Sequence, residues 1–421
     1  MLVSRTLPAW FLLSLAAASA AGEGDRTPPF AYLPAEAAHI LPETTSEESG
    51  YFSLCEGHDG RIYVGTARYG ANAFLVEYDP ATKRQRIVLD TNKTCGLMAT
   101  GYAAQSKIHT RNFVGPSGKI YVGSKQGYRR DGDTSEYPGG YVMTYDPATG
   151  RAESLGMPMH GQGVADVVAD ERRGLLYVVT CEDQHWMVGD IAGKAYREIA
   201  PGLCRYAATL LDPDGNAHAL TDDFRLARYE PGTGKLTVRD VVVDGVRWKR
   251  PDDNAIPTWQ IAADGRTAYL ILMNDARLIR LDLRPDGAGP VVGTRLGAMV
   301  EGKHPDSRGA LAIGPKGDVY AVVRVDNATG FGAGYLHHLA RYEPASGRIR
   351  DLGVLRVSNP DYAPAADKDG KPLPHRHGFH RLPDGSLTPL HAHMALTVAR
   401  DGTAYVTVIY PFTLLRIEPP R

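Results

Sequence analysis

The chain has 421 residues and a formal net charge of −1. That balance leaves no basic field for nucleic acid and no polybasic patch for a membrane surface, so both partner classes are excluded as expectations. With 46 glycines and 22 tyrosines, the composition suits many short strands joined by tight turns.

In chain order, residues 1–20 read as a secretory signal. Arg5 supplies the positive start, Leu7 to Ala18 form an apolar stretch interrupted by Pro8 and Ser14, and Ala18-Ser19-Ala20 is a small-residue cleavage site. The stretch is too short to span a bilayer, which predicts a secreted or periplasmic protein. From residue 21 onward a glycine turn followed by an apolar, β-branched strand recurs. It appears as HDGRIYVGT (58–66), PSGKIYVGS (116–124), ERRGLLYVVT (171–180), PDGNAHALT (213–221), ADGRTAYLIL (263–272), PKGDVYAVV (315–323) and RDGTAYVTV (400–408). After each copy comes a strand running into an Asp/Glu-Pro type turn or a variant of it: VEYDPATKR (76–84), MTYDPATGR (143–151), VGDIAGK (188–194), ARYEPGTGK (227–235), IRLDLRPDG (279–287), ARYEPASGR (340–348) and LRIEPPR (415–421).

Two such elements per unit, with flanking apolar strands, make four-stranded units about 40 to 60 residues apart, the interval of propeller blades. Length alone suggests two or three domains, but the repeat overrides it. The expectation is an all-β, seven-bladed β-propeller over 21–421, closed by a strand from residues 30–45. A Pro- and His-rich insertion at about 354–390 separates blades six and seven. A propeller fits because each blade buries both faces on its neighbours.

The repeat also selects candidate site residues. The strand before each glycine turn lines the central channel, and counting nine residues back from the glycine reaches its mouth. This register picks Tyr51, His109, Ala165, Tyr206, Ile256, Arg308 and His393, with Arg205 beside Tyr206 and Trp259 a little deeper. Loops after the second strands add Lys125, Gln126 and Tyr128, then Glu182, Asp183 and His185, and finally Tyr410. Histidine, tyrosine and arginine at one mouth are the groups that proton transfer and anion binding require. Each also has a bland reading, as a solvated channel residue or an inter-blade ion pair, and for Trp259 packing outweighs a sugar-stacking role.

Cys181 leaves a second strand and Cys204 enters the next first strand, so the register allows a disulfide between them; buried free thiols are the alternative. The run HRHGFHRLPDGSLTPLHAH contains His375, His377, His380, His391 and His393. His375, His377 and His391 are the set expected to hold a divalent ion (zinc, manganese or calcium) if the cluster is a metal site rather than an exposed loop. Asn92-Lys-Thr and Asn327-Ala-Thr match glycosylation acceptors. There is no phosphate loop, no nucleophile elbow and no evident carboxylate pair.

The segments SKIHTRNFVGPSGKIYVGSKQGY, YPGGYVMTYDPATGRAESLGMP and DGSLTPLHAHMALTVARDGTAYVTVIYPFTLLRI resemble bacterial seven-bladed polysaccharide lyases of the ulvan-lyase type. The resemblance implies β-elimination at a uronic acid in an acidic polysaccharide or oligosaccharide. It places His109 at the inner-strand histidine and Arg205 at the carboxylate-neutralising arginine. Two positions depart from the pattern: Lys125-Gln126 stand where a second histidine is expected, and Cys181 where a tyrosine is expected. Tyr206, Tyr128 or His185 would then supply the acid. The candidate set is therefore His109, Tyr206, His185 and Tyr128 for catalysis, with Arg205, Arg308, Lys125, Gln126, Trp259 and His393 for binding. Two other readings stay open: a metal-dependent oligouronide lyase or hydrolase using the C-terminal histidines, and a glycan-binding propeller without catalysis.

Overall fold

The computed structural model describes residues 27–46, 49–200, 202–283, 289–364 and 376–419. The signal reading over 1–20 lies outside them, as does His375. The turn glycines of the repeat behave alike: Gly60 has φ 77° and Gly402 φ 88°, and the others are also positive. A side chain is disfavoured in that conformation, so each glycine allows the chain to reverse into the next strand.

Each repeat folds into an antiparallel four-stranded sheet. The first runs Ser49–Glu56, Ile62–Thr66, Phe74–Asp79 and Arg84–Asp90 in spatial as well as sequence order. In the second, Lys107–Ile108 and Phe113–Val114 both pair with Ile120–Lys125, so the innermost strand is broken around His109. The third starts at Val164–Asp170 and the fourth at Leu210–Leu211. The fifth, from Pro257–Ile261 to Val291–Ala298, gains an outer hairpin, Val241–Val243 with Val246–Arg247.

The last two repeats share one eight-stranded sheet. Tyr32–His39 joins them: its first half pairs parallel with Arg348–Val357 and its second half antiparallel with Thr413–Ile417. The N-terminal strand thus closes the ring as expected and also ties in the preceding blade. The insertion starts later than expected, because Arg348–Val357 is strand to its end. Within it, Phe379–Arg381 pairs with Leu387–Pro389. Among the described residues the one α-helix is Thr91–Cys95, capped by the Asp90 side chain at its start and by left-handed Gly96 at its end. In both glycosylation matches the side-chain amide is engaged: Asn92 donates to the Ala99 carbonyl and Asn327 to that of Phe331.

Second strands are buried throughout (Ile62–Thr66 along its whole length) because both faces pack on neighbouring sheets, whereas outer strands such as Arg151–Ser154 are largely exposed. First strands line a channel cavity of about 370 Å³ bounded by Leu54, Phe113, Val167, Leu210, Gln260, Leu311 and Thr397. Arg111 crosses it, with Nε and Nη2 each 3.0 Å from the Asp166 carboxylate. Nη2 also donates to the Thr209 carbonyl, while the Thr209 N–H donates to Asp166. One buried ion pair thereby couples three blades.

Candidate functional site

The break in the second repeat's inner strand leaves His109 just past Lys107–Ile108, with the Lys107 charge close to its ring. The His109 N–H donates to the Gly123 carbonyl, which anchors the residue, and its side chain is buried at 1 % exposure. Its ring lies 5.1 Å from that of Tyr206 and edge-on to Phe52 at 5.8 Å. Burial, then Lys125, Lys107 and Arg205, hold its pKa well below the ordinary histidine value, so the imidazole is neutral at pH 7.

Three cations surround this ring. The Lys107 ammonium is buried against the faces of Tyr69 and Tyr128, 4.8 and 4.2 Å from their centres. Lys125 is ion-paired to Glu182 at 2.6 Å. Burial alone would lower the Lys125 pKa, but Cys181 and Glu182 beside it raise it above the usual lysine value. Arg205 is exposed, with its guanidinium carbon 5.2 Å above the Tyr206 ring.

The backbone around these groups is strained. Glu182, Gln184 and Tyr206 have φ of 67°, 57° and 54°, conformations costly for residues with side chains. They are linked: the Tyr206 N–H donates to Gln184 Oε1, and Gln184 Nε2 donates to the Glu182 carbonyl. Glu182 also accepts from Gln126 and from the Gly163 N–H. This network holds three unfavourable residues in place and presents Tyr206 half-buried at the mouth.

The structure thus gathers His109, Tyr206, Arg205, Lys125, Gln126 and Tyr128 as the register expects, and Tyr128 stands exposed at the rim. Three expectations change, and Trp259 takes the packing role favoured for it over binding. His185 is tied to Glu198 of an outer strand at 2.8 Å and turns away from His109. Trp259 is buried, its indole N–H donating to the Ala208 carbonyl, so it packs rather than offering a face to a ligand. His393 is also buried, at 1 % exposure; an irregularity in pairing between His393 and Ala395 breaks the regular count. Cys181 and Cys204 are free thiols in separate hydrogen-bonding contexts. Burial pushes the Cys181 thiol up to about 11, and Lys125 hydrogen-bonds it.

Arg308 is held by Asp306, which Arg324 also approaches at 3.2 Å. His377 and His391 are exposed and pack around Tyr410. Among the described residues no three His, Cys, Asp or Glu side chains converge as metal ligands, so His377 and His391 have no third partner there. Sequence reasoning missed Lys107 and Phe52. Lys107 stands two residues before His109, close enough in sequence to have been considered with it. Phe52 lines both the channel cavity and the small void beneath Tyr206, and with Arg111 it separates them.

The fold and this mouth define the chain as a β-propeller with a cationic, aromatic site at one end of its channel. Over 91 % of its length it superimposes on a streptogramin B lyase structure, with a TM-score of 0.55, 12 % identity and 96 % of that chain covered. It superimposes similarly on the catalytically inactive virginiamycin B lyase of Staphylococcus aureus with quinupristin (0.54, 10 % identity, 91 % of this chain and 98 % of that one). The same holds for the β-propeller domain of Myceliophteria thermophila Cps50 (Swd1), at 0.54 and 11 % identity, covering 91 % and 99 %. No family model and no curated protein matches the sequence. Likeness at such identity shows the fold alone.

Proposed function

We propose that the chain is an exported, seven-bladed polysaccharide lyase that cleaves a uronate-containing polysaccharide by β-elimination. The blade number counts the eight-stranded sheet as two blades joined by Tyr32–His39. The observation that carries the reading is Tyr206, strained and half-buried beside neutral His109, with Arg205 over its ring and Lys107 and Lys125 near His109. In β-elimination the C5 proton is removed, the C4–O bond breaks, a C4–C5 double bond forms and the leaving oxygen takes a proton. Positive charge beside the uronate carboxylate makes the C5 proton more acidic, and Arg205 is the exposed cation for that task. Because Tyr206 stands in front of His109, it is the group that exchanges protons with the sugar. His109 is the neutral acceptor behind it rather than a base in direct contact. Export is supported by the signal reading, and no helix among the described residues is long and apolar enough to cross a membrane.

The test is a panel of acidic polysaccharides assayed for ultraviolet absorbance of unsaturated uronate. Turnover is expected on at least one, with Tyr206→Phe lowering kcat about 100-fold or more while binding persists. Absence of unsaturated product from every member overturns the class. Full activity of Tyr206→Phe overturns the residue assignment. A second reading, glycan binding without cleavage, draws on the engagement of both Lys125 and Gln126 by Glu182. Saturable binding with no product would establish it.

A further inference from the structure

Opposite Tyr206 the mouth carries a second strained tyrosine. Tyr410 has φ 65°, again costly for a bulky side chain. Its ring is stacked on His377 at 4.5 Å with a 27° interplanar angle, and His391 lies 4.9 Å away. His377 is exposed and Tyr410 half-buried, so the stack turns its His377 side to solvent. Backbone bonds hold it in shape: the Gly378 N–H donates to the Tyr410 carbonyl, and the His391 N–H donates to the Gly378 carbonyl. A Cβ on Gly378 would lie 1.9 Å from the Ile409 carbonyl oxygen, so only glycine permits this approach.

A cation lies beside the platform. Arg308 and Arg324 share a single carboxylate, Asp306. Two guanidiniums on one carboxylate leave a net positive charge, and Arg308 keeps about a third of its side chain exposed at 34 %. Arg324 is turned to the platform as well, donating to the His391 carbonyl at 2.6 Å. Phe52 connects the Tyr206 group to the Gly309 backbone beside Arg308. Its ring lies 6.0 Å from Tyr206, and on its other side it fits against Gly309, where a Cβ would come within 2.4 Å of Phe52 Cδ1. Aromatic surface and exposed cation therefore occur twice, on either side of one ring.

We propose that Tyr410, His377 and Arg308 form a second sugar subsite, taking another uronate of the same polysaccharide strand that Tyr206 engages. It rests on the reading of the ligand as an acidic polysaccharide. The apolar face of a pyranose stacks on the outer His377 ring, which Tyr410 backs, and its carboxylate meets Arg308, whose planar fork suits a carboxylate. The site then grips an oligosaccharide laid across the channel mouth.

The experiment is calorimetric titration of the full chain with disaccharide and hexasaccharide fragments of polygalacturonate, alginate and hyaluronate. Variants are Tyr410→Ala, Tyr410→Phe, His377→Ala and Tyr206→Ala. For fragments that bind the parent, Tyr410→Ala and His377→Ala are expected to weaken the hexasaccharide about tenfold and the disaccharide less than about twofold. Tyr410→Phe, which keeps the ring, should leave both unchanged, and Tyr206→Ala should weaken both. His377 is exposed, so its variant carries the test if Tyr410→Ala fails to fold. Parent-like hexasaccharide binding by His377→Ala and any folded Tyr410→Ala, with loss in Tyr206→Ala, overturns the subsite and leaves the proposed function standing. Equal weakening of both lengths also overturns a separate second subsite. If no fragment binds the parent, the subsite and the acidic-polysaccharide reading fall together.

Discussion

Replacing His393 by leucine should make the protein more resistant to acid while changing little at neutral pH. Among the described residues neither ring nitrogen of His393 has a hydrogen-bond partner, and the side chain is 1 % exposed. Around it stand His337, 5.3 Å away and itself held neutral by burial, and the charged trio Asp306, Arg308 and Arg324. Burial is the main force lowering its pKa from 6.5 to about 4; Asp306 opposes the fall and the two arginines reinforce it. In the unfolded chain His393 takes up its proton near 6.5, in the folded chain only near 4. Between these values the unfolded state holds more protons, so stability is complete above about 6.5 and is lost as pH falls toward 4. At 1.36 kcal/mol per pH unit the whole span is worth about 3 kcal/mol, of which about 2 kcal/mol is lost between pH 7 and 4.5. Leucine removes this loss, and at pH 7 an apolar replacement of an unbonded buried group is close to neutral. The assay is the urea midpoint of parent and variant at both pH values. Distant carboxylates titrate alike in both proteins, so the difference reports His393 together with its coupling to Asp306 and His337. Parallel loss of stability in the two would refute the reasoning.

Two further outcomes follow from packing. Asp166→Ala leaves the Arg111 guanidinium in the channel without its carboxylate and should cost about 3–5 kcal/mol, read as a lower urea midpoint. If the midpoint is unchanged, the three-blade tie is dispensable. Gly140→Ala places a Cβ 2.2 Å from the Ser124 carbonyl oxygen and 2.9 Å from the Val164 nitrogen. Because both neighbours are backbone, a loss of at least about 1–3 kcal/mol is expected in the same measurement.

The blades were legible because their signals are local: a turn glycine, an apolar strand, an Asp-Pro turn. His109 and Tyr206 were legible too, since the repeat carries its own ruler from the glycine to the mouth. The ruler fails at His393, where the pairing slips before Ala395 and the imidazole is buried. It also cannot tell an available arginine from one already engaged; the Asp306 that binds Arg308 sits two residues earlier with no pattern to announce it. Nor does it give depth. His109 and Tyr206 share a register position in their blades, yet the first lies behind the second because the chain at Tyr206 is held in a left-handed conformation by Gln184.

The shared sheet of the last two blades has a consequence for the order of synthesis. Tyr32–His39 is made long before one of its partners, Thr413–Ile417. Its other partner, Arg348–Val357, is also late. Until both exist, the early strand has open edges and no sheet of its own. The ring therefore stays unlatched until Thr413–Ile417 has been made and meets Tyr32–His39.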